Sequence, residues 1–129
     1  MHICTIQKWN KNNELYHGGI AVWVANSDGT NDYLLGSTGI ENTGWHYIVG
    51  TRNTSGELKL YLDGTLVNSV TTFSGSTYSN GEPAVARDYH SGSYYYYNGY
   101  ISLTSGYNRA LSSTEVLQNY NATKSRFGL

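Results

Sequence analysis

A chain of 129 residues with one cysteine and a formal net charge of −1 is sized for one domain, spanning residues 1–129, and cannot close an intrachain disulfide. Charged residues make up only 13% of it, with no basic run, which disfavours charge-driven partners such as nucleic acid or an anionic membrane. Thirteen tyrosines and fifteen glycines, against thinly spread Ala, Leu, Glu and Lys, argue for an all-β protein rather than a helical bundle.

Residues 1–9, M-H-I-C-T-I-Q-K-W, have neither the cationic start nor the long apolar run of an export signal, and no later window approaches a membrane span. The alternation of Ile3, Thr5 and Gln7 with Cys4, Ile6 and Lys8 predicts a strand over His2 to Trp9. Asn10 to Glu14 is a polar turn. Gly19 to Ala25, apolar at every position, reads as a central strand that ends at the turn Ser27-Asp28-Gly29. Asp32 to Gly36 is a short strand, and Ser37 to Gly44 a loop.

Trp45 to Val70 is the clearest stretch. Trp45, Tyr47 and Val49 alternate with His46, Ile48 and Gly50, the period of two of a pleated strand. Leu58, Leu60 and Leu62 share one face of the next strand, and Glu57, Lys59 and Tyr61 the opposite, water-facing one. Asp63-Gly64 predicts a two-residue turn with both residues at positive φ, and hence an antiparallel hairpin of fixed register. The earlier turn, Asn53 to Gly56, is looser. The run W-H-Y-I-V followed by L-K-L-Y-L-D-G-T-L-V resembles the central signature of laminin-G-like, concanavalin A-like domains.

Thr71 to Glu82 is a polar loop. Pro83 to Arg87 allows a short strand begun by Pro, Asp88 to Ser93 a loop, and Tyr94 to Leu111 a last long extended segment. Ser112 as N-cap and Glu115 three residues on form a capping box, flanked by Leu111 and Val116 at staple positions. The predicted helix runs to about Ala122, with Val116, Leu117 and Tyr120 as its buried stripe.

The end of the chain, Gly-x-Ile then Tyr107-Asn108-Arg109-Ala110-Leu111-Ser112 and an acidic-aliphatic helix, also resembles laminin-G-like domains. Thr104 and Gly106 depart from the aliphatic residues usual there, which predicts a local bulge. The tail N-Y-N-A-T-K-S-R-F-G-L is similar to that of virion and tail-associated proteins of large bacterial viruses, which implies a virion or an extracellular surface as location. The resemblance implies an all-β, two-sheet antiparallel jelly-roll sandwich with one short C-terminal helix. The family's usual first strand or strands have no counterpart at the start of the chain. The sheet edge so exposed is expected to be covered by another chain, as an oligomer or edge-strand partner or by other virion subunits, or by a shifted N-terminal strand, because an uncovered edge is an aggregation hazard.

Glucanases of this fold class set acidic residues two apart on one strand as acid, nucleophile and helper. The nine carboxylates here are scattered, so the expectation is a non-enzymatic module, with glycan cleavage kept as an alternative on the fold class alone. The four histidines have no zinc-ligand spacing. His46, beside Trp45 in a strand, reads as structural. His90 and Asp88 lie beside four consecutive tyrosines, of which alternation sends two inward and two outward; the resemblance, through its aromatic-x-Gly-x-Ile pattern, implies that Tyr95 and Tyr97 are the inward pair and Tyr94 and Tyr96 the outward one.

An exposed tyrosine offers a flat apolar face and a hydroxyl, suited to stacking on a sugar ring. The alternative is aromatic packing across the sheet. Tyr94, Tyr96, His90 and Asp88 are therefore the candidate ligand-binding residues, for a surface glycan or protein. No cofactor is required. The resemblance makes rim-bound calcium a candidate, with Asp88, Asn98, Asp28 and Asp32 as oxygen donors.

Overall fold

The computed structural model of the protein describes residues 20–25, 31–35, 40, 44–72, 85, 87–90, 93–96 and 100–129. The expected strand over His2 to Trp9, the turns at Asn10 and at Ser27-Asp28-Gly29, most of the loop to Glu82, and Asn98 lie outside them. The described elements are β1 (Ala21–Ala25), β2 (Asn31–Leu35), β3 (Ile48–Arg52), β4 (Glu57–Leu62), β5 (Thr65–Thr71), β6 (Arg87–His90), β7 (Ser93–Tyr96), the helix α1 (Ser113–Thr123) and a 3₁₀ turn (Lys124–Phe127). The strands form an antiparallel pair β1-β2, a meander β3-β4-β5 and an antiparallel pair β6-β7.

The meander follows from its turns. Asp63 and Gly64 have φ of 51° and 80°, the positive values that a two-residue hairpin turn needs to match the twist of its strands. The expected looseness of Asn53 to Gly56 is corrected. The Asn53 amide N–H donates to the Glu57 carbonyl (3.1 Å), its side-chain oxygen accepts from the Glu57 amide (2.9 Å), and its side-chain nitrogen donates to the Glu57 carboxylate (3.1 Å). Gly56 sits at φ 87°, and its carbonyl accepts both the amide (2.7 Å) and the hydroxyl (2.7 Å) of Thr72, which fastens the far end of β5. The expected strand start at Trp45 moves to Ile48, because Tyr47 makes its next rung with the turn itself: its carbonyl accepts from the Asp63 amide at 2.8 Å.

β4 buries Leu58 and Leu60 on one face and Tyr61 on the other, while Glu57 and Lys59 stay partly exposed. Leu58 and Leu60 pack with Ile20, Val22, Ile40, Ile48 and Leu62, where the β1-β2 pair lies over β4 and β5. The approach is close. A Cβ on Gly50 would stand 2.5 Å from Val22 Cγ2, so glycine is what lets β1 sit down on β3. On the opposite face, Tyr61 packs with Leu111, Val116, Tyr47 and Val49. The expectation that Tyr61 faces water is therefore corrected: it is 1% exposed, and its hydroxyl lies 3.1 Å from Ser113 Oγ. Burying one such side chain is worth about 1.5–3 kcal/mol, and without α1 above it that contribution is lost.

The helix starts where its cap predicts. Ser112 Oγ accepts from the Glu115 amide (3.2 Å) and the Glu115 carboxylate accepts from the Ser112 amide (2.9 Å), while Leu111 and Val116 join the same apolar cluster as a staple. Val116 is fully buried, but Leu117, expected in the stripe, is 46% exposed. It rests against the β4-β5 turn instead, where a Cβ on Gly64 would be 3.1 Å from Leu117 Cδ1 and 2.9 Å from Tyr120 Cδ1. Tyr120 meets the Tyr47 ring (centroids 6.0 Å apart) and Phe127 meets Trp45 (5.2 Å), so α1 and the 3₁₀ turn cover the outer face of the meander's start.

Further expectations change. Asp88 to Ser93 is not one loop: Arg87 to His90 is strand and pairs with Ser93 to Tyr96, as the β-favouring aromatic residues on both sides of Ser91-Gly92 allow. Of the strand expected over Pro83 to Arg87, only Val85, in a bend, and Arg87, the first residue of β6, are among the described residues. The long extended segment to Leu111 contributes strand only as far as Tyr96 among the described residues, and residues 101–110 carry none. There Ser102, Thr104, Ser105 and Gly106 supply no apolar side chains to bury. The bulge expected near Thr104 falls in β5 instead, where Leu60 pairs with Asn68 and Tyr61 with Leu66, leaving Val67 as the extra residue.

Candidate functional site

The β6-β7 hairpin carries the four candidate ligand-binding residues. Its register sets Asp88 opposite Tyr95, Tyr89 opposite Tyr94, Arg87 opposite Tyr96 and His90 opposite Ser93. Opposed residues share a face and successive ones alternate, so Tyr94 and Tyr96 share one face of the hairpin with Tyr89 and Arg87, and Asp88 and His90 share the other with Ser93 and Tyr95. Tyr96 is 67% exposed, as its outward assignment requires.

Of the four oxygen donors considered for calcium, the structure describes Asp32 and Asp88. Asp32 lies in β2 opposite Val24 and Asp88 in β6, in separate sheets, and Asp28 and Asn98 fall outside the described residues. Among the described residues no three His, Cys, Asp or Glu side chains gather.

Three polar clusters have well-defined geometry, and each ties elements together. Asp63 accepts from the Tyr47 amide through Oδ1 (2.8 Å), and its Oδ2 lies 2.8 Å from His46 Nδ1. Trp-His and Asp-Gly, met as separate parts of the sequence pattern, are thereby one hydrogen-bonded unit. Glu57 pairs with Lys59 Nζ (3.0 Å), and this bond raises the lysine pKa. Arg109 grips Glu115 with two parallel bonds, Nη2 to Oε1 at 2.6 Å and Nη1 to Oε2 at 2.9 Å. The guanidinium, then the Ser112 amide, hold the Glu115 carboxyl at a pKa of about 2. A second link runs from Asn119 Nδ2 to the Tyr107 hydroxyl (3.2 Å), so residues 107–109 are pinned to α1 at two points. Glu57, Asp63 and Glu115 thus each serve a different structural cluster.

Among the described residues the most exposed aromatic side chain is one the sequence pattern does not single out: Tyr100 is 88% exposed, and it is followed by Ile101 at 38% and Leu103 at 56%.

The fold is similar to that of an S-layer domain-containing protein from Clostridium thermocellum (residues 221–444), with a TM-score of 0.54 and 17% identity over 93% of this chain and 70% of that one. At that identity the likeness is one of fold. No curated protein matches the chain in sequence. The Laminin_G_3 family model matches residues 7–117, a span that takes in the meander, the β6-β7 hairpin and the capped start of α1. Mostly β, with one short helix closing one face, the chain belongs to this family of the Concanavalin A-like lectin/glucanases superfamily.

Proposed function

We propose that the protein is a non-catalytic binding module that holds a surface glycan, or a protein bearing one, through the face of its β6-β7 hairpin that carries Tyr96, on a two-sheet jelly-roll sandwich. The observation that carries this is Tyr96, a strand residue with 67% of its surface open. An aromatic ring held on a strand loses little freedom on binding and presents an apolar face edged by a hydroxyl. The superfamily description, lectins and glucanases, supports a carbohydrate ligand. The scattered carboxylates support binding over cleavage, and the near-neutral charge supports a ligand held by stacking and hydrogen bonds, with no metal required. The S-layer domain of similar fold and the virion-like tail both favour an extracellular or particle surface as the setting. A glycan array tests the proposal: wild type is expected to bind, and Tyr96→Ala to lose binding at unchanged melting temperature. An array on which wild type binds nothing would overturn it.

A second reading, a structural subunit of a surface or viral particle, is favoured by one observation. Leu66, Val67 and Val70 are 44%, 39% and 38% exposed along β5, an apolar strip of the sort that subunit contacts cover. Sizing of the purified chain as a fixed oligomer, or copurification with particle subunits, would support it; a monodisperse monomer would count against it.

A further inference from the structure

We infer that Tyr100 to Tyr107 is a docking strand that pairs antiparallel with the same segment of a second copy of this chain, around a two-fold axis at Thr104. This contact is separate from the apolar strip of β5 and does not depend on the glycan-binding reading. The segment runs without a turn or a bend, belongs to no strand, and is exposed at every position. Among the described residues, no backbone hydrogen bond reaches Tyr100 to Gly106, and a Cβ on Gly106 would meet nothing within 4 Å. By alternation Ile101, Leu103 and Tyr107 fall on one side, all of them open to solvent. Straight backbone with an apolar side and open hydrogen-bonding groups is the form of a sheet edge, which another strand readily extends. Its far end has a fixed point to build from, because the Tyr107 hydroxyl accepts from Asn119 Nδ2 (3.2 Å) and Arg109 is bound to Glu115.

A second copy is the occupant because the segment is complementary to itself. A two-fold contact sets each residue against its symmetry-related position. With the axis at Thr104, Ile101 pairs with Tyr107, Leu103 with Ser105, Ser102 with Gly106 and Thr104 with itself. Aromatic against β-branched and Thr against Thr are favoured cross-strand pairs. No charged residue stands from Tyr100 to Asn108, so pairing brings no like charges together, and the Lys and Pro that commonly guard an exposed edge are missing from this stretch. An axis one position on, at Ser105, would instead set Ile101 against Arg109, which Glu115 already holds.

Sedimentation velocity of the full chain over a concentration series reads the contact. Wild type is expected to pass from monomer to dimer. Thr104→Lys, which sets two like charges face to face, is expected to weaken self-association at least about tenfold with the far-UV circular dichroism unchanged. Mixing Thr104→Lys with Thr104→Glu protein should restore the dimer as a heterodimer, because the same axis then joins opposite charges. Thr104→Cys in a Cys4→Ser background, which leaves no other cysteine, should join two copies by a disulfide under oxidised glutathione, since directly opposed residues in a sheet lie within bridging distance. Wild type that stays monomeric throughout would overturn the inference and leave glycan binding standing. A dimer that Thr104→Lys leaves intact would overturn it too, and Val67→Lys breaking that dimer would assign the contact to β5.

Discussion

Asp63 shows how much one side chain can do in a turn. Its backbone takes the positive φ that starts the hairpin, and its two carboxylate oxygens serve the Tyr47 amide and the His46 ring. Replacing it with Ala removes both acceptors and leaves a half-buried N–H unpaired, at about 1–3 kcal/mol. Asp63→Asn keeps one acceptor and tolerates the same backbone conformation, so its loss should be clearly smaller; urea denaturation of the two variants checks the order. Tyr61→Phe removes only the hydroxyl that meets Ser113, and an equilibrium loss of about 0.5–1.5 kcal/mol is expected. That pairing was not legible in the sequence. Alternation sent Tyr61 to the wet face, and the partner that buries it lies 52 residues further on, beyond any local pattern.

At the scale of elements, the contacts between layers decide the outcome. Gly50 permits β1 to lie on β3, and a methyl group there meets the stiff, branched Val22 at 2.5 Å. Gly50→Ala should therefore cost about 1–3 kcal/mol, and Gly50→Ala with Val22→Ala should recover part of it, a coupling read from a double-mutant cycle. The helix is anchored by the Arg109–Glu115 pair, whose carboxyl has its pKa lowered from 4.5 to about 2. A lowered carboxyl pKa stabilises the folded state above the unfolded value and loses that contribution as pH falls through the folded one. The attachment of α1 should accordingly weaken between about pH 4.5 and pH 2. Arg109→Gln should flatten that part of the thermal-stability profile, and an identical profile in the variant would contradict the assignment.

For the whole molecule, the meander and the capped helix were legible because their signals are local: a period of two, an Asp-Gly turn, and a Ser and Glu three apart. Of the β6-β7 hairpin, Tyr94 to Tyr96 reads as extended, but Asp88 to Ser93 reads as a loop because Asp88, His90 and Ser93 individually favour irregular structure, while their pairing is set across residues 91–92. Of the candidate site, the outward face of Tyr96 was legible from alternation together with the aromatic-x-Gly-x-Ile resemblance. The separation of Asp88 and His90 from it required the register, and Tyr100 required knowing what the chain leaves uncovered. Together these place β4 beneath the helix on one side and β1-β2 on the other, and the proposed binding falls to Tyr96 on the β6-β7 hairpin. The measurement that tests this most directly is glycan-array binding by wild type and Tyr96→Ala, each checked for its melting temperature. The account predicts that wild type binds and the variant, melting at the same temperature, does not; equal binding by both proteins would contradict it.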